Sequence, residues 1–598
     1  MEEQNSIDVK RLFTGQYCVR NNCLSMKVFV KNKSEPDYKM LCNFVPYIVR
    51  QIVIESGDEE KGLKLVIGGI DVNGKPLGEI TVKDCDVANL DWVRTQWGCE
   101  NRVMVNAKQY FLDALYSTAT KENKSVHYAV TGWRKIDGEQ RFLMPGDEDY
   151  SVDLDCKLKN YHLAHEIASP LDLQVLTKLL DENFAPHEVI LPLLALMFMS
   201  PLHSFMSEVG CEPKLVLMLV GRSGSLKSTL AALMLSFFGK FTSTSLPFSF
   251  KDTANSILYH SHSLKDVPTV IDDFHPSVKG DEKDMTSAAQ VIMRGWGNRS
   301  GRGRLNSSCS PDEEKHPRGD VLITAEFAPD VGMSGVARLF SVEMAPGAVN
   351  LERLSYFQNE ALKETFQRCM YTYIEWLKFG FLEGPAESLT ENLKWIYEEA
   401  REKTRKKFAE AGSVSHLRIH EDVAALSVGY DFFLQFLFDY GCITEEEKMM
   451  GKDEFESVIF ELAKKQNDAV QEEKPVYKFI KKLHSLIDSG KYCLVNKNGE
   501  TDNLPPNCLG YYDDANYYLF KSQAHSAVKR LCEEQGESFT ISEKALMKAL
   551  AADRLINTEA KQFSKNVRIG KTTKRLVEMP VKVVLDIVNE KPYCVSSK

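Results

Sequence analysis

The sequence predicts a multi-domain α/β protein with a P-loop core. Residues 214–345 alternate segments typical of strands and of helices, which is the pattern of a sheet with mainly parallel strands. A glycine-bearing loop joins the first of these strands to a helix. Runs of β-branched residues separated by turn signals precede this region, and helical patterns follow it.

Length and composition indicate a globular protein of several domains. The chain has 598 residues, of which 43% are apolar and 26% charged, and its net charge is −10. This acidic balance does not indicate nucleic-acid binding, although local basic patches matter more than the sum. Fourteen cysteines without any Cys-x-x-Cys pair indicate free thiols in a reducing cytosol rather than a zinc site.

Membrane association is not expected. The N-terminus lacks the apolar core of a signal peptide. The longest apolar run, 189–199, contains Pro192 and is too short to span a bilayer. We therefore expect a cytoplasmic protein.

Four regions are expected along the chain. They are a β-rich N-terminal domain (1–155), an ATPase core with lead-in helices (156–380), a helical region (381–490) and a winged-helix-like region (491–598). A helix near 107–119 is expected within the first region.

The segment Gly221-Arg-Ser-Gly-Ser-Leu-Lys-Ser228 has the setting that a P-loop requires. Amide groups of such a loop and of the helix N-terminus bind phosphate oxygens. Lys227 is expected to reach the β- and γ-phosphates of ATP, and Ser228 to bind Mg²⁺. The residues predicted to bind ATP are Gly221, Gly224, Ser225, Leu226, Lys227, Ser228 and Thr229.

Leu226 departs from the usual motif, which has glycine immediately before the lysine. The leucine must adopt the backbone conformation that glycine would have held. A strained φ there costs on the order of 1–3 kcal/mol. The alternative is a Gly/Ser loop with a chance Lys-Ser pair.

A second apolar strand, Thr269-Val-Ile-Asp-Asp273, ends in two acids. We expect it beside the P-loop strand, with Asp272 binding Mg²⁺ and Asp273 polarising the attacking water. The alternative is a strand that ends in a solvated Asp-Asp turn.

Two further groups complete the predicted catalytic set of Lys227, Asp273, Glu326 and Arg338. Thr324 or Glu326, at the end of a third strand, could sense the γ-phosphate or orient the water, or could be a capping residue. Arg338 precedes a fourth strand and is a candidate arginine finger, often supplied by a neighbouring subunit. The alternative for Arg338 is a surface ion pair.

The order P-loop, double acid, polar strand end and arginine resembles AAA+ ATPases. The residues of these motifs and their spacing are more similar to those of the self-loading replicative helicases of mobile genetic elements. These include the replication initiators of staphylococcal cassette chromosomes and pathogenicity islands, and they are distantly similar to MCM helicases. The segments that carry this resemblance are Asp91–Gly98, Thr131–Arg134, Thr253–Asn255, Val267–Phe274, Gly297–Arg304 and Thr324–Glu326.

The resemblance spans roughly residues 40–345 and has functional implications. It implies an ATP-driven hexameric ring through which DNA passes. It also implies a β hairpin that precedes the third strand and projects into the pore.

Two basic segments are candidates for DNA contact. Residues 285–311 contain four arginines and no acid, and Arg299, Arg302 and Arg304 are predicted to contact DNA. Trp296 could stack on a base. The alternative is a solvated basic loop.

The second basic segment lies near the C-terminus. Thr540 and Glu543 have the spacing of a capping box that opens a helix, and a basic hairpin follows over 561–575. Helix and hairpin together outline a winged helix, in which Lys571, Lys574 and Arg575 are predicted to contact DNA. The alternative is a small packing domain.

The leading interpretation is an ATP-dependent DNA helicase that initiates replication of a mobile genetic element. It binds ATP and Mg²⁺, assembles as a homo-oligomeric ring and acts on single-stranded or forked DNA. Two alternatives stay open. One is a DNA-binding initiator that binds nucleotide without robust hydrolysis, and the other is a P-loop phosphotransferase.

Overall fold

The computed structural model describes residues 11–31, 33–56, 61–276, 279–299, 315–329, 331–382, 387–413, 415–499, 504–535, 537, 539–559, 562–570 and 572–589. The chain divides into two compact units, Met1–Lys159 and Asn160–Lys598. The further boundaries expected at residues 380 and 490 remain predictions.

The N-terminal unit is rich in β structure. Its strands are β1 (Tyr17–Arg20), β2 (Cys23–Val28), β3 (Asp37–Cys42), β4 (Val45–Glu55), β5 (Lys61–Ile70), β6 (Pro76–Lys83), β7 (Lys124–Tyr128), β8 (Gly132–Ile136), β9 (Glu139–Leu143) and β10 (Ser151–Val152). Its helices are α1 (Asp84–Val87), α2 (Asp91–Trp97) and α3 (Lys108–Tyr116). The strands form three sheets, ordered β1-β2-β3, β10-β7-β4-β5-β6 and β8-β9.

Aromatic side chains form much of the N-terminal core. Trp92 and Trp97 of α2 are buried, and their rings meet edge to face with centroids 5.3 Å apart. Phe111 of α3 is buried in the same core. In the β8–β9 hairpin, buried Trp133 packs against Phe142. Aromatic packing therefore joins α2 to α3 and the two strands of the β8–β9 hairpin.

A parallel sheet lies at the centre of the second unit. Helices α4 (Pro170–Leu179), α5 (His187–Met199) and α6 (His203–Glu208) lead into it. The next elements in chain order are β11 (Val216–Val220), α7 (Lys227–Leu235), β12 (Phe248–Ser249), α8 (Ala254–Ser261), β13 (Thr269–Phe274), α9 (Lys279–Asn298), β14 (Val321–Ala325), α10 (Gly332–Val336) and β15 (Leu339–Glu343). Each strand pairs in parallel with its neighbours, in the order β12-β13-β14-β11-β15. This arrangement confirms the predicted α/β class.

The strand order corrects one expectation. The double-acid strand β13 does not pair with the P-loop strand β11, because β14 lies between them. Strands β13 and β14 are both short apolar runs, so their pattern does not reveal which one is the neighbour of β11. Since all three strands are parallel, their carboxyl ends still meet at one edge of the sheet.

The longest apolar run forms a core helix. The helical stretch His187–Glu208 is long and apolar enough to cross a membrane, but 94% of its most apolar window is buried inside the protein. Phe198 of α5 is fully buried. Its ring centroid lies 5.4, 4.9 and 4.4 Å from those of Phe237, Tyr373 and Phe433. This helix therefore packs against the P-loop helix region on one side and later helices on the other.

Long helices follow the sheet. They are α11 (Leu351–Leu362), α12 (Thr365–Leu377), α13 (Glu387–Glu410), α14 (Leu417–Asp439) and α15 (Glu445–Glu472). Arg401, Arg405 and Lys406 of α13 are exposed, as the charged pattern of that helix predicts. Helix α14 packs against both α13 and α5, so it joins the long helices to the core.

The C-terminal residues form a mixed sheet surrounded by helices. Its elements are α16 (Pro475–Asp488), β16 (Cys493–Asn496), β17 (Cys508–Tyr512), β18 (Asn516–Leu519), α17 (Lys521–Gln535), α18 (Glu543–Ala552), β19 (Lys565–Ile569), β20 (Thr572–Pro580) and α19 (Val581–Val588). The sheet order is β16-β17-β18-β20-β19. Helix α16 contributes Phe479, Ile480 and Leu483 to the core of this sheet. It therefore packs with the C-terminal region, although it lies before residue 491.

The start of α18 differs from the predicted capping box. Ser542, not Thr540, is the N-cap, and its hydroxyl accepts a hydrogen bond from the amide of Ala545 at 3.3 Å. Both residue types cap helices well, and the one that lies immediately before the first helical residue takes the role. The predicted hairpin is present, because β19 and β20 pair in antiparallel register.

The buried aromatic cluster makes Phe198 a stability determinant. Phe198→Ala is expected to lower the free energy of unfolding by about 3–5 kcal/mol, because the surrounding rings cannot fill the space. The control Phe379→Ala removes a ring that is 60% exposed, and we expect a change within about 0.5 kcal/mol. Urea unfolding followed by circular dichroism measures both. Equal effects of the two substitutions would contradict the packing argument.

Candidate nucleotide site and basic surfaces

The loop between β11 and α7 is shaped by two backbone positions that favour glycine. A Cβ on Gly221 would lie 2.4 Å from the carbonyl oxygen of Met344, so a side chain there would force the backbone to shift. Gly224 has φ of +81°, which glycine adopts without steric cost. The amide of Gly221 donates to the carbonyl of Ala325 at 3.0 Å. The loop therefore begins close against β14 and β15.

Leu226 has the left-handed conformation that its position in the motif implies. Its φ is 69° and its ψ is 18°, and for a residue with a Cβ this costs roughly 1–2 kcal/mol. Helix α7 begins directly after it, at Lys227. The loop thus reaches the helix through a strained leucine rather than a glycine.

Lys227 lies inside the bend of this loop. Its side chain is almost fully buried. The Nζ atom donates to the carbonyl oxygens of Gly221 at 2.6 Å and Arg222 at 3.1 Å. An ammonium placed here, beside the amide groups of a helix N-terminus, forms a positively charged cradle.

One carboxylate joins the loop helix to the sheet. The Oδ1 atom of Asp272 accepts hydrogen bonds from the hydroxyls of Ser228, at 2.7 Å, and Thr324, at 2.6 Å. Thr324 is buried. The structure thus brings together Ser228 and Asp272, the two predicted Mg²⁺ ligands, even though their strands are not adjacent. Hydroxyl and carboxylate oxygens are the hard ligands that Mg²⁺ prefers.

Asp273 occupies an irregular position at the end of β13. Its φ is +66°, and the register between β13 and β14 shifts at this point. The amide of Asp273 donates to the hydroxyl of Thr324 at 3.0 Å. The Thr324 hydroxyl therefore positions both acids, because it accepts a hydrogen bond from the amide of Asp273 and donates one to the carboxylate of Asp272. The Asp273 side chain is exposed at the carboxyl edge of the sheet.

Glu326 has a side-chain partner that the sequence did not indicate. Its carboxylate lies 2.7 Å from Nδ1 of His275. Its amide donates to the carbonyl oxygen of Phe274 at 3.1 Å. Glu326 therefore stands on the same sheet edge as Asp273, with its side chain engaged by a histidine.

Arg338 lies at the end of the sheet opposite to the β11–α7 loop of the same chain. Its carbonyl accepts from the amide of Val216, the first residue of β11, at 3.0 Å. The loop begins at the other end of that strand, about 16 Å away at 3.3 Å per residue. This guanidinium therefore belongs to a different surface from Lys227 of the same chain.

Arg338 shares that surface with other arginines. The Oδ1 atom of Asn298 accepts from Arg338 at 2.9 Å and from Arg418 at 3.3 Å. Burial, and then the charges of Arg418 and Arg294, lower the pKa of Arg338. Sequence reasoning missed Arg418, because it lies 80 residues further along the chain, at the start of α14.

Arg299 and Trp296 correct two expectations about DNA contact. The Arg299 side chain is 5% exposed and pairs with Asp320 at 3.2 Å. Its guanidinium also donates to the carbonyl oxygens of Pro213 at 2.6 Å and Gly319 at 2.7 Å. Trp296 is fully buried and donates to the same Gly319 carbonyl at 3.0 Å. Both side chains are structural, because a basic or aromatic pattern does not reveal burial.

Arg302, Arg304 and Lys571 lie outside the described residues. The pore hairpin is expected between β13 and β14, where residues 279–298 form α9 and residues 300–314 lie outside the described part of the chain. Lys574 and Arg575 are described, on β20. Lys574 is half-buried and donates to the hydroxyl of Tyr511 at 2.5 Å. Arg575 is exposed and bonds the Ser564 hydroxyl at 3.0 Å. Arg568 of β19 is also exposed, and the antiparallel register places it on the same hairpin face as Arg575.

The buried Arg299–Asp320 pair carries a stability prediction. Burial raises the pKa of Asp320, but His203, Arg299 and Ser200 lower it further, so the net shift is downward. Arg299→Ala is expected to destabilise the protein by about 3–5 kcal/mol, because it leaves a buried charge uncompensated. Thermal or urea unfolding measures this, with Arg353→Ala, at a half-exposed arginine that pairs with Asp181, as the control. A loss below about 1 kcal/mol would contradict the role of the pair.

The same pair predicts the direction of a pH effect. The folded pKa of Asp320 lies below the ordinary value of 3.8. Its contribution to stability is therefore complete above pH 3.8 and is lost as the pH falls through the lower folded value.

Comparison with known proteins supports a helicase-like fold. The chain is similar to the solved structure of the SCCmec type IV Cch active helicase, with a TM-score of 0.58 and 12% sequence identity. The similarity covers 96% of this chain and 99% of the other. No family model matches the chain, and no curated protein matches it in sequence. At this identity the similarity is one of fold, and it extends over nearly the whole of both chains.

Proposed function

We propose that this chain is an ATP-dependent DNA helicase of the AAA+ type, acting in replication initiation of a mobile genetic element. The observation that carries the proposal is the network in which Ser228 and Thr324 both bond Asp272, beside the buried ammonium of Lys227. This network gathers a phosphate cradle and a cation-binding pair at one sheet edge. The solved structure to which this chain is similar is that of a helicase, and the similarity covers nearly the full length of both chains.

The chemistry at this edge follows from the donor set. Bound MgATP supplies the phosphoryl group that is transferred to water. The loop amides and Lys227 bind its phosphate oxygens, and Ser228 and Asp272 hold the cation. Asp273 accepts the proton of the attacking water, and Glu326, held by His275, lies close by to orient it. Thr324 is a positioning residue, because it acts through Asp272 and Asp273.

The place of Arg338 supports an oligomer. An arginine finger must approach the γ-phosphate, and Arg338 lies too far from its own loop to do so. We propose that it completes the site of a neighbouring copy within a homo-oligomeric ring, as the family resemblance implies. Arg418 and Arg294 lie close enough to Arg338 to lower its pKa, so they strengthen the positive potential at this surface.

The C-terminal region supports a DNA contact. Helices α17 and α18 precede an antiparallel hairpin, as in a winged helix. Lys544 and Lys548 are exposed on α18, and Arg568 and Arg575 are exposed on the hairpin. Phosphate contacts require cations in such positions. Arg302 and Arg304 remain predicted contacts of the ring pore.

A second candidate function is a DNA-binding initiator that binds nucleotide without robust hydrolysis. The strained conformation of Leu226 favours it, since the loop holds a left-handed residue without the glycine that suits it. ATP turnover stimulated by single-stranded DNA would support the helicase. Tight nucleotide binding without turnover would support the initiator.

Two substitutions test the roles at the nucleotide site. Lys227→Ala is expected to abolish ATP binding, measured by titration of a fluorescent ATP analogue, because the phosphates lose their buried cation. Asp273→Asn is expected to keep binding and to slow hydrolysis by about 10²–10⁴-fold, because an amide cannot accept the proton of water. Lys251→Ala, at an exposed lysine of the same unit, is the control and should change neither. Unchanged turnover in Asp273→Asn would overturn its catalytic role.

Mixing two inactive variants tests whether Arg338 acts between copies. Arg338→Ala is expected to bind ATP and to hydrolyse it about 10³-fold more slowly. Mixed with Lys227→Ala, it should regain activity, because hybrid rings contain interfaces with an intact loop on one side and an intact arginine on the other. Arg405→Ala, at an exposed arginine of α13, is the control and should retain full activity. A mixture no more active than its components would contradict the trans arrangement.

The exposed hairpin face predicts a loss of DNA affinity. The double variant Arg568→Ala/Arg575→Ala is expected to weaken duplex binding and to reduce the slope of log affinity against log salt by about 2, since about 0.9 is lost per phosphate contact. A matched control is Lys529→Ala/Arg530→Ala, which removes two exposed cations of α17 that pair with acids. Fluorescence anisotropy at several salt concentrations measures both. An equal loss in the control would remove the specific role of the hairpin.

A further inference from the structure

A histidine and two glutamates from distant parts of the chain meet at the start of α5. They are Glu182, in the turn between α4 and α5, His187, the first residue of α5, and Glu454, in the first half of α15. One side-chain nitrogen or oxygen of each residue lies within 4.8 Å of those of the other two. None of the three belongs to the nucleotide site or to the basic surfaces. We call them the His–Glu–Glu cluster.

The imidazole of His187 has the orientation that a metal ligand requires. Its Nε2 atom lies 2.9 Å from the carbonyl oxygen of Leu180. A carbonyl can only accept a hydrogen bond, so Nε2 carries a proton and donates it. Nδ1 faces the two glutamates, 3.6 Å from Oε1 of Glu182 and hydrogen-bonded to Oε1 of Glu454. Metal-binding histidines commonly bond a backbone carbonyl through one ring nitrogen and bind the metal with the other.

The backbone that carries the cluster is held on both sides. In the α4–α5 turn, Asp181 accepts a hydrogen bond from the amide of Asn183 at 2.9 Å, and Phe184 is buried. In α15, buried Phe455 stacks on Tyr430 with ring centroids 4.3 Å apart. The two glutamate side chains of the cluster are 76% and 45% exposed, so they can rotate. Zn²⁺ with bonds of about 2.0–2.2 Å places tetrahedral ligand atoms roughly 3.3–3.5 Å apart, a separation that such rotations reach.

The donor set selects the kind of cation. Two carboxylates and one neutral imidazole carry a net charge of −2. Among the residues that the structure describes, His187 is the ion-pair partner of both carboxylates. An imidazole nitrogen suits Zn²⁺ better than Mg²⁺, which prefers oxygen ligands. Three protein ligands leave the fourth tetrahedral position to water.

We propose that the His–Glu–Glu cluster binds one Zn²⁺ ion, which fastens α15 to the turn before α5. The protein ligands are Nδ1 of His187 and one carboxylate oxygen from each of Glu182 and Glu454. The cation replaces the proton that His187 and Glu454 share, and this proton leaves to solvent. The alternative is a hydrogen bond between His187 and Glu454 that joins two helices and binds no metal. The proposal does not rest on the helicase function, because no residue of the cluster belongs to the ATP site.

Zinc titration of the full-length chain tests the proposal. A chromogenic chelator competes for Zn²⁺ without nucleotide, and the wild type is expected to bind one ion more than Glu182→Gln or Glu454→Gln. Each substitution should weaken binding at this site by at least about 100-fold, because even a residue that only supports a ligand contributes about 10–100-fold. An amide has nearly the shape of a carboxylate, so both variants should fold. Added Zn²⁺ should raise the Tm of the wild type and not that of the variants.

His127→Ala is the matched control. Nδ1 of His127 lies 2.6 Å from a carboxylate oxygen of Asp153, and the two side chains are 15% and 59% exposed. This pair resembles His187 and Glu454 in distance and exposure, but among the described residues no third ligand joins it. Its loss should change neither the affinity for Zn²⁺ nor the number of ions bound.

Two results would overturn the proposal. One is equal zinc binding by the wild type, Glu182→Gln and Glu454→Gln, and the other is an equal loss in His127→Ala. Measuring ATPase activity on the same samples separates the metal site from the helicase. A wild type that binds this Zn²⁺ but hydrolyses no ATP would refute the motor and leave the metal site standing. An active ATPase whose zinc binding is the same in all variants would do the reverse.

Discussion

The candidate site depends on a single carboxylate that three elements share. Asp272 lies near the end of β13, which does not pair with the P-loop strand, yet its Oδ1 atom accepts hydroxyl hydrogen bonds from α7 and from β14. Hydrogen bonds to an ionised acceptor are the strong ones, and a partly buried acceptor that lost them would be costly. Strand β14 sets the spacing between the loop and the double acid by pairing with both of their strands, and the hydroxyls of Ser228 and Thr324 tie Asp272 to that frame.

The features that sequence could predict are those encoded locally. The four strand segments of the core lie within a few residues of their predicted positions, because a short apolar run between turn signals is a local pattern. The left-handed position of Leu226 follows equally from its place in the motif. Strand order is different, since β13 and β14 carry the same kind of pattern and only tertiary packing distinguishes them.

Two arginines show most clearly what a sequence pattern cannot predict. Arg299 and Arg338 are the same residue type in similar basic surroundings, but one is a buried ion-pair partner and the other lies beside two further cations. Asp320, the carbonyl of Pro213 and Arg418 decide the difference, and all of them are distant in sequence from the arginine that they affect. No local pattern contains that information.

The last residues of α9 contact Arg338 and lead directly into the buried Arg299. A Cβ on Gly297 would lie 2.5 Å from Cδ of Arg338, and Asn298 bonds the Arg338 guanidinium, while the next residue, Arg299, is anchored in the interior. Any displacement of this helix end consequently moves Arg338 with it. If identical copies assemble as the proposed ring, a displacement of this helix end in one copy would reach the ATP site of the copy beside it rather than its own.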